Sequence, residues 1–204
     1  MKALIFAAGL GTRLRPLTND RPKALVEVHG KPLLAHVIEK LRKAGYTEVV
    51  INVHHFGEQI IDYIAKHPVE GMKFIISDER TELLDTGGGI RQAGGLFTQD
   101  GHPFLIHNVD IFSNLDIKEF YTKYPTAEGA TLLVSERKTS RYLLFNTTDN
   151  RLVGWTNIQT GEVKSPYPNL RVEDCRMYAF AGIHLFSQSL LQWMKDWPTR
   201  FSII

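Results

Sequence analysis

Short, uninterrupted apolar runs alternate along this chain with longer segments in which apolar residues return every three or four positions. The first run, KALIFA at residues 2–7, is the pattern of a strand buried on both faces. In 33–44 the residues Leu33, Leu34, Val37, Ile38 and Leu41 fall on one helical face, and Gly45 stops that helix. Residues 48–53 (EVVINV) and 72–76 (MKFII) predict two more strands, with a helix between them carrying Ile60, Ile61 and Ile64 and ended by Pro68. A short helix over 88–96 is weakened by its glycines. Then come a strand at 103–107 (PFLIH), a helix at 115–124 closed by Pro125, and a strand at 130–134 (ATLLV). Strand–helix alternation at this spacing is the pattern of parallel βαβ units. The expected fold is α/β, a Rossmann-like doubly wound mixed sheet, mostly parallel.

From about residue 140 the texture changes. RYLLF (141–145), TTDN (147–150) and RLVGW (151–155) predict a hairpin, and MYAFAGIHLF (177–186) a long strand. A helix carrying Leu190, Leu191 and Met194 follows. The second half is therefore an α/β core with a small antiparallel excursion between 140 and 175. The whole of 1–204 is expected to be one domain.

Composition narrows the classes. With 204 residues, 43% hydrophobic and 23% charged, a core of ordinary size forms without disulfides, and the single Cys175 has no partner for one. No apolar run is long enough to span a bilayer, and the apolar stretch near the start is too short for a signal peptide. A cytoplasmic protein without a membrane partner is expected. Net charge is +2, yet residues 1–50 hold nine Lys and Arg against four acids. Arg13, Arg15, Arg21 and Lys23 cluster around glycines, with no interleaved aromatics and no zinc-finger or helix-turn-helix spacing. That pattern favours a small anion in a pocket over nucleic acid.

The stretch AAGLGTRLRP (7–16) carries the chemistry. A dinucleotide fingerprint fails at Leu14, and no GKS or GKT closes a Walker loop. Gly9 and Gly11 nevertheless let the backbone approach a ligand with its N–H groups inward. Arg13 and Arg15 offer forked donors to phosphate oxygens, and Lys23 a compact charge. Taken alone, the same residues also suit a solvated surface loop. Asp110 follows the strand 103–107, on the side where open α/β sheets bind ligands, and suits either Mg²⁺ or a turn cap.

The run AAGLGTRLRPLTNDRPKALVEVHGKPLL (7–34) resembles the signature of the sugar-phosphate nucleotidyltransferases, with Gly9, Gly11, Thr12, Arg13, Arg15, Pro16, Thr18 and Lys23 in place. It departs at Ala24, where proline is usual. LLDTGGGI (83–90) is similar to the family's nucleotide-contacting turn, and its three-glycine form resembles the N-acetylmuramic acid 1-phosphate uridylyltransferase branch. FLIHNVDIF (104–112) resembles the strand that delivers a metal-binding aspartate, with Val109 where glycine is usual. The resemblance implies a nucleotide-diphospho-sugar transferase fold, its nucleotide-binding half at about 1–112 and its sugar-binding half at about 113–204. It also implies transfer of a nucleotidyl group from an NTP, UTP first, to a sugar 1-phosphate with Mg²⁺. Ala8, Gly9, Gly11, Thr12, Arg13, Lys23, Thr86 and Gly87 would hold the nucleotide. Asn108, Gly182, Glu162 and Lys164 would meet the sugar phosphate, although Glu162 and Lys164 equally suit a solvated turn. Arg13, Lys23 and Asp110 would carry catalysis, with Asp110 as the metal ligand.

Relatives supply a second aspartate in a stretch resembling D-V-G-T-P; none is found here, and a segment carrying it is expected beyond Ile204. GTP, CTP or dTTP with another hexose 1-phosphate, and a binding domain without turnover, stay open beside this reading. Monomer and dimer are both open. Asn52, His54 and His55 follow the second strand, where a place at a pocket rim is one open reading among others; the histidines point to opposite faces and so are ill-suited to share a metal.

Overall fold

A computed structural model describes residues 1–124 and 129–203. They form two compact units, residues 1–131 with 183–203, and residues 132–182. In chain order the first unit opens with β1 (Lys2–Phe6), a small hairpin of β2 (Glu27–Val28) and β3 (Lys31–Pro32), and α1 (Leu33–Lys43). It continues with β4 (Glu48–Val53), α2 (Gly57–Lys66), β5 (Lys73–Asp78), α3 (Asp85–Gly94), β6 (Phe104–Asn108) and α4 (Ile117–Lys123). After β7 (Ala130–Ser135) come β8 (Arg141–Asn146), β9 (Leu152–Asn157), β10 (Glu162–Lys164), β11 (Cys175–Phe186) and α5 (Ser189–Trp193).

In the first unit β5, β4, β1 and β6 lie side by side and parallel, Lys2 standing opposite both Glu48 and Phe104. The end of β11 then runs antiparallel beside β6, pairing Ile183 with His107. Leu4, Val50, Phe104, Ile106 and Phe186 pack on Ile90, Ala93, Phe97 and Met194 on one face. The alternate residues Ala3, Ile5, Val49, Ile51 and Leu105 face the other way and are equally buried. Each large apolar side chain so buried contributes about 1.5–3 kcal/mol. Two buried faces on a parallel sheet are the doubly wound arrangement that the alternation predicts.

In the second unit β10, β9, β8 and the start of β11 form an antiparallel sheet, with a bulge between Leu144 and Phe145. The hairpin expected at 141–155 is present. β11 pairs with β8 over 175–178 and with β6 over 183–186, and Gly182, at φ +78°, stands where the partner changes.

Local departures have local causes. α3 begins at Asp85 rather than 88, so Thr86 and Gly87 lie inside its first turn. α4 starts after Asp116, whose carboxylate accepts the Lys118 and Glu119 N–H groups at 2.9 Å each. Pro125, expected to close that helix, lies outside the described residues. β10, which the sequence leaves open between a substrate-facing stretch and a solvated turn, is a short edge strand. Among the described residues no helix is long and apolar enough to cross a membrane.

Candidate active site

β1 and β6 are parallel neighbours, so the segments leaving them emerge at the same end of the sheet. After β1 the chain is held down at once. The N–H groups of Ala7 and Ala8 both donate to Asn52 Oδ1, at 2.7 and 3.2 Å. Gly9 and Leu10 then stand exposed. Gly11 adopts φ +65°, and a Cβ there would sit 3.0 Å from Thr18 Cγ2 and 3.3 Å from Lys23 Cβ. Both the left-handed backbone and the close approach demand glycine. The buried Thr18 hydroxyl donates to Gly11 O at 2.9 Å, folding the loop back on itself.

That fold places Lys23. It opens a short 3-10 turn behind Pro22, with fully buried Ala24 next to it. Its ammonium forms an ion pair with Asp110 Oδ2. Asp110 lies just past β6, where the Val109 N–H still donates to Phe6 O at 3.1 Å and so ties the β6 exit to β1. The structure thus brings Gly9, Gly11, Thr12, Arg13, Lys23, Asn108 and Asp110 into the first unit. Arg13 is exposed and makes no hydrogen bond or ion pair among the described residues, leaving its five donors available.

Behind Asp110, His107 is buried, its Nδ1 2.8 Å from Asn108 O. Burial, helped by the Lys40 charge, pushes its pKa down to about 4 against the opposing pull of Asn108 O and Asp110, so the ring is neutral near pH 7. Its Nε2 has no hydrogen-bond partner among the described residues.

The second expected nucleotide segment is built differently. Gly87 and Gly88 both donate their N–H groups to Phe201 O, at 2.9 and 3.2 Å. A Cβ on Gly87 would lie 2.1 Å from Phe201 Cε2, one on Gly88 2.3 Å from Thr199 O, and one on Gly89 3.0 Å from Glu79 Oε1. Gly87 and Gly88 leave no room for a Cβ, and Gly89 faces Glu79 at a tight but not prohibitive distance. Thr86 is exposed, and its Oγ1 accepts the Ile203 N–H at 3.0 Å.

Glu162 and Lys164 belong to the other unit, exposed on edge strand β10. Lys164 Nζ lies 5.2 Å over the Trp155 ring and 3.8 Å from Glu162. Gly182 is the last residue of that unit. Asn52 is not a rim residue: it is fully buried. His54 Nδ1 lies 2.6 Å from Glu79 O, and the His55 ring packs on Phe56 at 4.0 Å. Sequence reasoning names Thr18 only as part of the signature, without its bond to Gly11, and misses Glu79 and Phe201, whose partners are distant in sequence.

For a metal, Asp110 supplies one half-exposed carboxylate, with Lys23 on Oδ2 and Oδ1 free of the pair. Among the described residues no group of three or more His, Cys, Asp or Glu gathers. One carboxylate completed by phosphate oxygens and water is the ordinary donor set of Mg²⁺, and the residues fit it.

These features are a glycine loop and a lysine–carboxylate pair at one end of a doubly wound α/β sheet. Residues 2–153 match the Nucleotidyl transferase family, and the chain belongs to it. HddC from Yersinia pseudotuberculosis shares the fold at a TM-score of 0.74, with 24% identity over 98% of this chain and 82% of that one. The fold is the Rossmann-like nucleotide-diphospho-sugar transferase fold, a mixed sheet with a parallel core. The N-acetylmuramate alpha-1-phosphate uridylyltransferase of Caulobacter vibrioides is 46% identical over 110 residues, 53% of this chain and 45% of that protein. Its namesake from Neisseria meningitidis serogroup B is 44% identical over 129 residues, 63% of this chain and 54% of that protein. Mannose-1-phosphate guanyltransferase 2 of Candida glabrata is 36% identical over 138 residues, 67% of this chain and 38% of that protein. The chain spans about half the length of the curated uridylyltransferases it matches.

Proposed function

We propose that this protein transfers a nucleotidyl group from UTP to N-acetylmuramic acid 1-phosphate, releasing pyrophosphate. The observation that carries the transfer chemistry is the Lys23–Asp110 pair, from segments 87 residues apart, beside the glycine loop at one end of the sheet. The choice of base and sugar is supported by the two uridylyltransferases at 46% and 44% identity.

An oxygen of the sugar phosphate, already ionised near pH 7, attacks the α-phosphorus in line. The bond from that phosphorus to the α,β-bridging oxygen breaks, and pyrophosphate leaves with the electron pair. No side chain need remove a proton, so rate comes from positioning and charge. The backbone at Gly9 receives the phosphates, and Arg13 grips the leaving pair. Lys23 turns from Asp110 to the α-phosphoryl oxygens as charge builds there. Asp110 would hold Mg²⁺, which when bound supplies positive charge to the phosphoryl oxygens.

The test is pyrophosphate release from each of four NTPs with N-acetylmuramic acid, N-acetylglucosamine, glucose or mannose 1-phosphate. Release confined to UTP and the muramic acid substrate is expected. Release with GTP and mannose 1-phosphate would favour the second reading, for which the 36% identical guanyltransferase speaks. Nucleotide binding with no release from any pair would make the chain a binding domain.

A further inference from the structure

Two buried polar side chains lie behind the glycine loop and have no part in the transfer step proposed above. Asn52, near the end of β4, is fully buried, and Glu79, one residue past β5, is 2% exposed. Asn52 Oδ1 accepts the Ala7 and Ala8 N–H groups, at the root of the glycine loop. Asn52 Nδ2 donates to Glu79 Oε1 at 2.8 Å. Glu79 Oε2 in turn accepts the N–H of Leu84, the residue before α3, at 3.2 Å. Leu84 O accepts the Phe201 N–H, and Phe201 O takes the Gly87 and Gly88 N–H groups. One continuous chain of hydrogen bonds therefore joins the glycine loop to the first turn of α3.

The residue types are set by that chain. Glu79 forms no ion pair among the described residues, and a buried carboxylate is costly unless its oxygens are fully hydrogen-bonded. Here each oxygen has its own donor. Glutamine has one acceptor, so its NH₂ would face either the Asn52 amide or the Leu84 N–H, donor against donor. Asn52 must accept toward the loop and donate toward Glu79. Aspartate there would set carboxylate against carboxylate. Gly89 keeps the space open, since a Cβ would sit 3.0 Å from Glu79 Oε1 and 3.4 Å from Asn52 Nδ2.

We propose that Asn52 and Glu79 are positioning residues, a buried strut that anchors the glycine loop to the packed start of α3 and so holds the loop backbone in the shape that meets the nucleotide. The inference rests on the nucleotidyl-transfer reading above and adds to it the groups that hold the nucleotide side in shape.

The test uses the full chain with Asn52→Asp, Glu79→Gln and the double variant. The double variant restores every pairing. Its carboxylate on β4 accepts from the loop and from the new amide NH₂ past β5, and the oxygen of that amide accepts from Leu84. Amide hydrogen exchange is read first, without ligand. Glu79→Gln is expected to speed exchange about tenfold or more at Leu84 and also at Ala7 and Ala8, which Glu79 does not touch, the size expected for losing one charged hydrogen bond. Val50 in the sheet should hold its parent rate. In turnover, KM for the NTP should rise about tenfold while KM for the sugar phosphate stays within about twofold, and the double variant should recover most of both effects.

Unchanged exchange at Ala7 and Ala8 in Glu79→Gln, equal rises in both KM values, or a double variant no better than the singles would each overturn the strut. Should a single variant fail to fold, the double variant decides: parent-like exchange supports the proposal, and failure to fold overturns it. A parent protein that turns over no substrate pair would remove the transferase reading, and the exchange measurements alone would then decide whether loop and helix are coupled.

Discussion

Two glycine-rich segments of this protein look alike on paper and are built for opposite neighbours. Around Gly9 a Cβ would meet nothing within 4 Å, and the residue is exposed. Across Gly87, Gly88 and Gly89 every Cβ position is already taken, by the Phe201 ring, the Thr199 carbonyl and the Glu79 carboxylate. Glycine in the first segment leaves room for something to arrive; in the second it lets the protein close on itself. Function and packing use the same residue type, and only the neighbours separate them. The triplet, whose form resembles the uridylyltransferase branch in sequence, is accounted for here by packing. On the nucleotidyl-transfer reading proposed above, base preference would be set by groups other than the Gly87 N–H, which Phe201 already holds.

The contrast breaks most sharply at Lys23, the charge that the open segment delivers. Lys23→Ala should lower kcat by about 10²–10³-fold, the usual cost of removing one donor to developing charge. Its melting temperature should stay near that of the parent, because the ion pair with Asp110 is partly exposed. Steady-state kinetics beside a thermal melt checks both. Near-normal turnover would remove Lys23 from the reaction.

The closed segment should answer in stability instead. Gly88→Ala gains about 1 kcal/mol of helix propensity but drives its Cβ to 2.3 Å from Thr199 O, a backbone atom with no rotamer to escape into. A net loss of about 1–3 kcal/mol is expected from denaturant unfolding. Gly87→Ala overlaps a ring, so combining it with Phe201→Ala should cost less than the sum of the two single changes. Additive losses would show that Phe201 and Gly87 do not share that space in solution.

This contrast also marks how far the sequence can be read. Lys23 and Asp110 stand in contiguous stretches with their own local patterns, so each can be named from its neighbours, and the alternation of strands and helices puts both at one end of the sheet. The early start of α3 is hidden. Four glycines among its ten residues argue against a helix, and what supports its first turn, the Phe201 carbonyl, arrives from beyond α5. Asn52 stays unassigned for a similar reason: a polar residue near a strand end suits a rim or an interior until Glu79, 27 positions later, is known to lie against it. β10, three residues long and exposed throughout, has no apolar alternation to betray it. Local chemistry is legible, and long-range partners are not.

Within the open segment, Thr18 sharpens the distinction between shaping the loop and facing the ligand. Its buried hydroxyl donates to Gly11 O at 2.9 Å. Thr18→Val keeps the shape and removes one of the two donors to Gly11 O, leaving the Leu14 N–H at 2.9 Å as the other, at a cost of about 1 kcal/mol in unfolding free energy. Because Gly11 packs so closely against Lys23 that an added Cβ would sit 3.3 Å from Lys23 Cβ, a loosened Gly11 should also blunt kcat by a few-fold, on the order of the same 1 kcal/mol. A stability loss with kcat untouched would separate the shape of the loop from the placing of Lys23.

The smallest structural effect should come from Gly9→Ala, and it is the most telling for the comparison. With open space where the methyl goes, and no left-handed φ to strain it, unfolding free energy should change by less than about 0.5 kcal/mol. If the phosphates of the NTP come against this backbone, that same methyl stands where they approach. KM for the NTP should then rise several-fold, while KM for the sugar phosphate and the melting temperature hold. The opposite of Gly88→Ala is therefore expected, a change felt by the ligand and not by the fold. An unchanged KM would mean that the space over Gly9 is open to solvent alone, and the phosphates would then have to be received further along the loop, at Thr12 and Arg13.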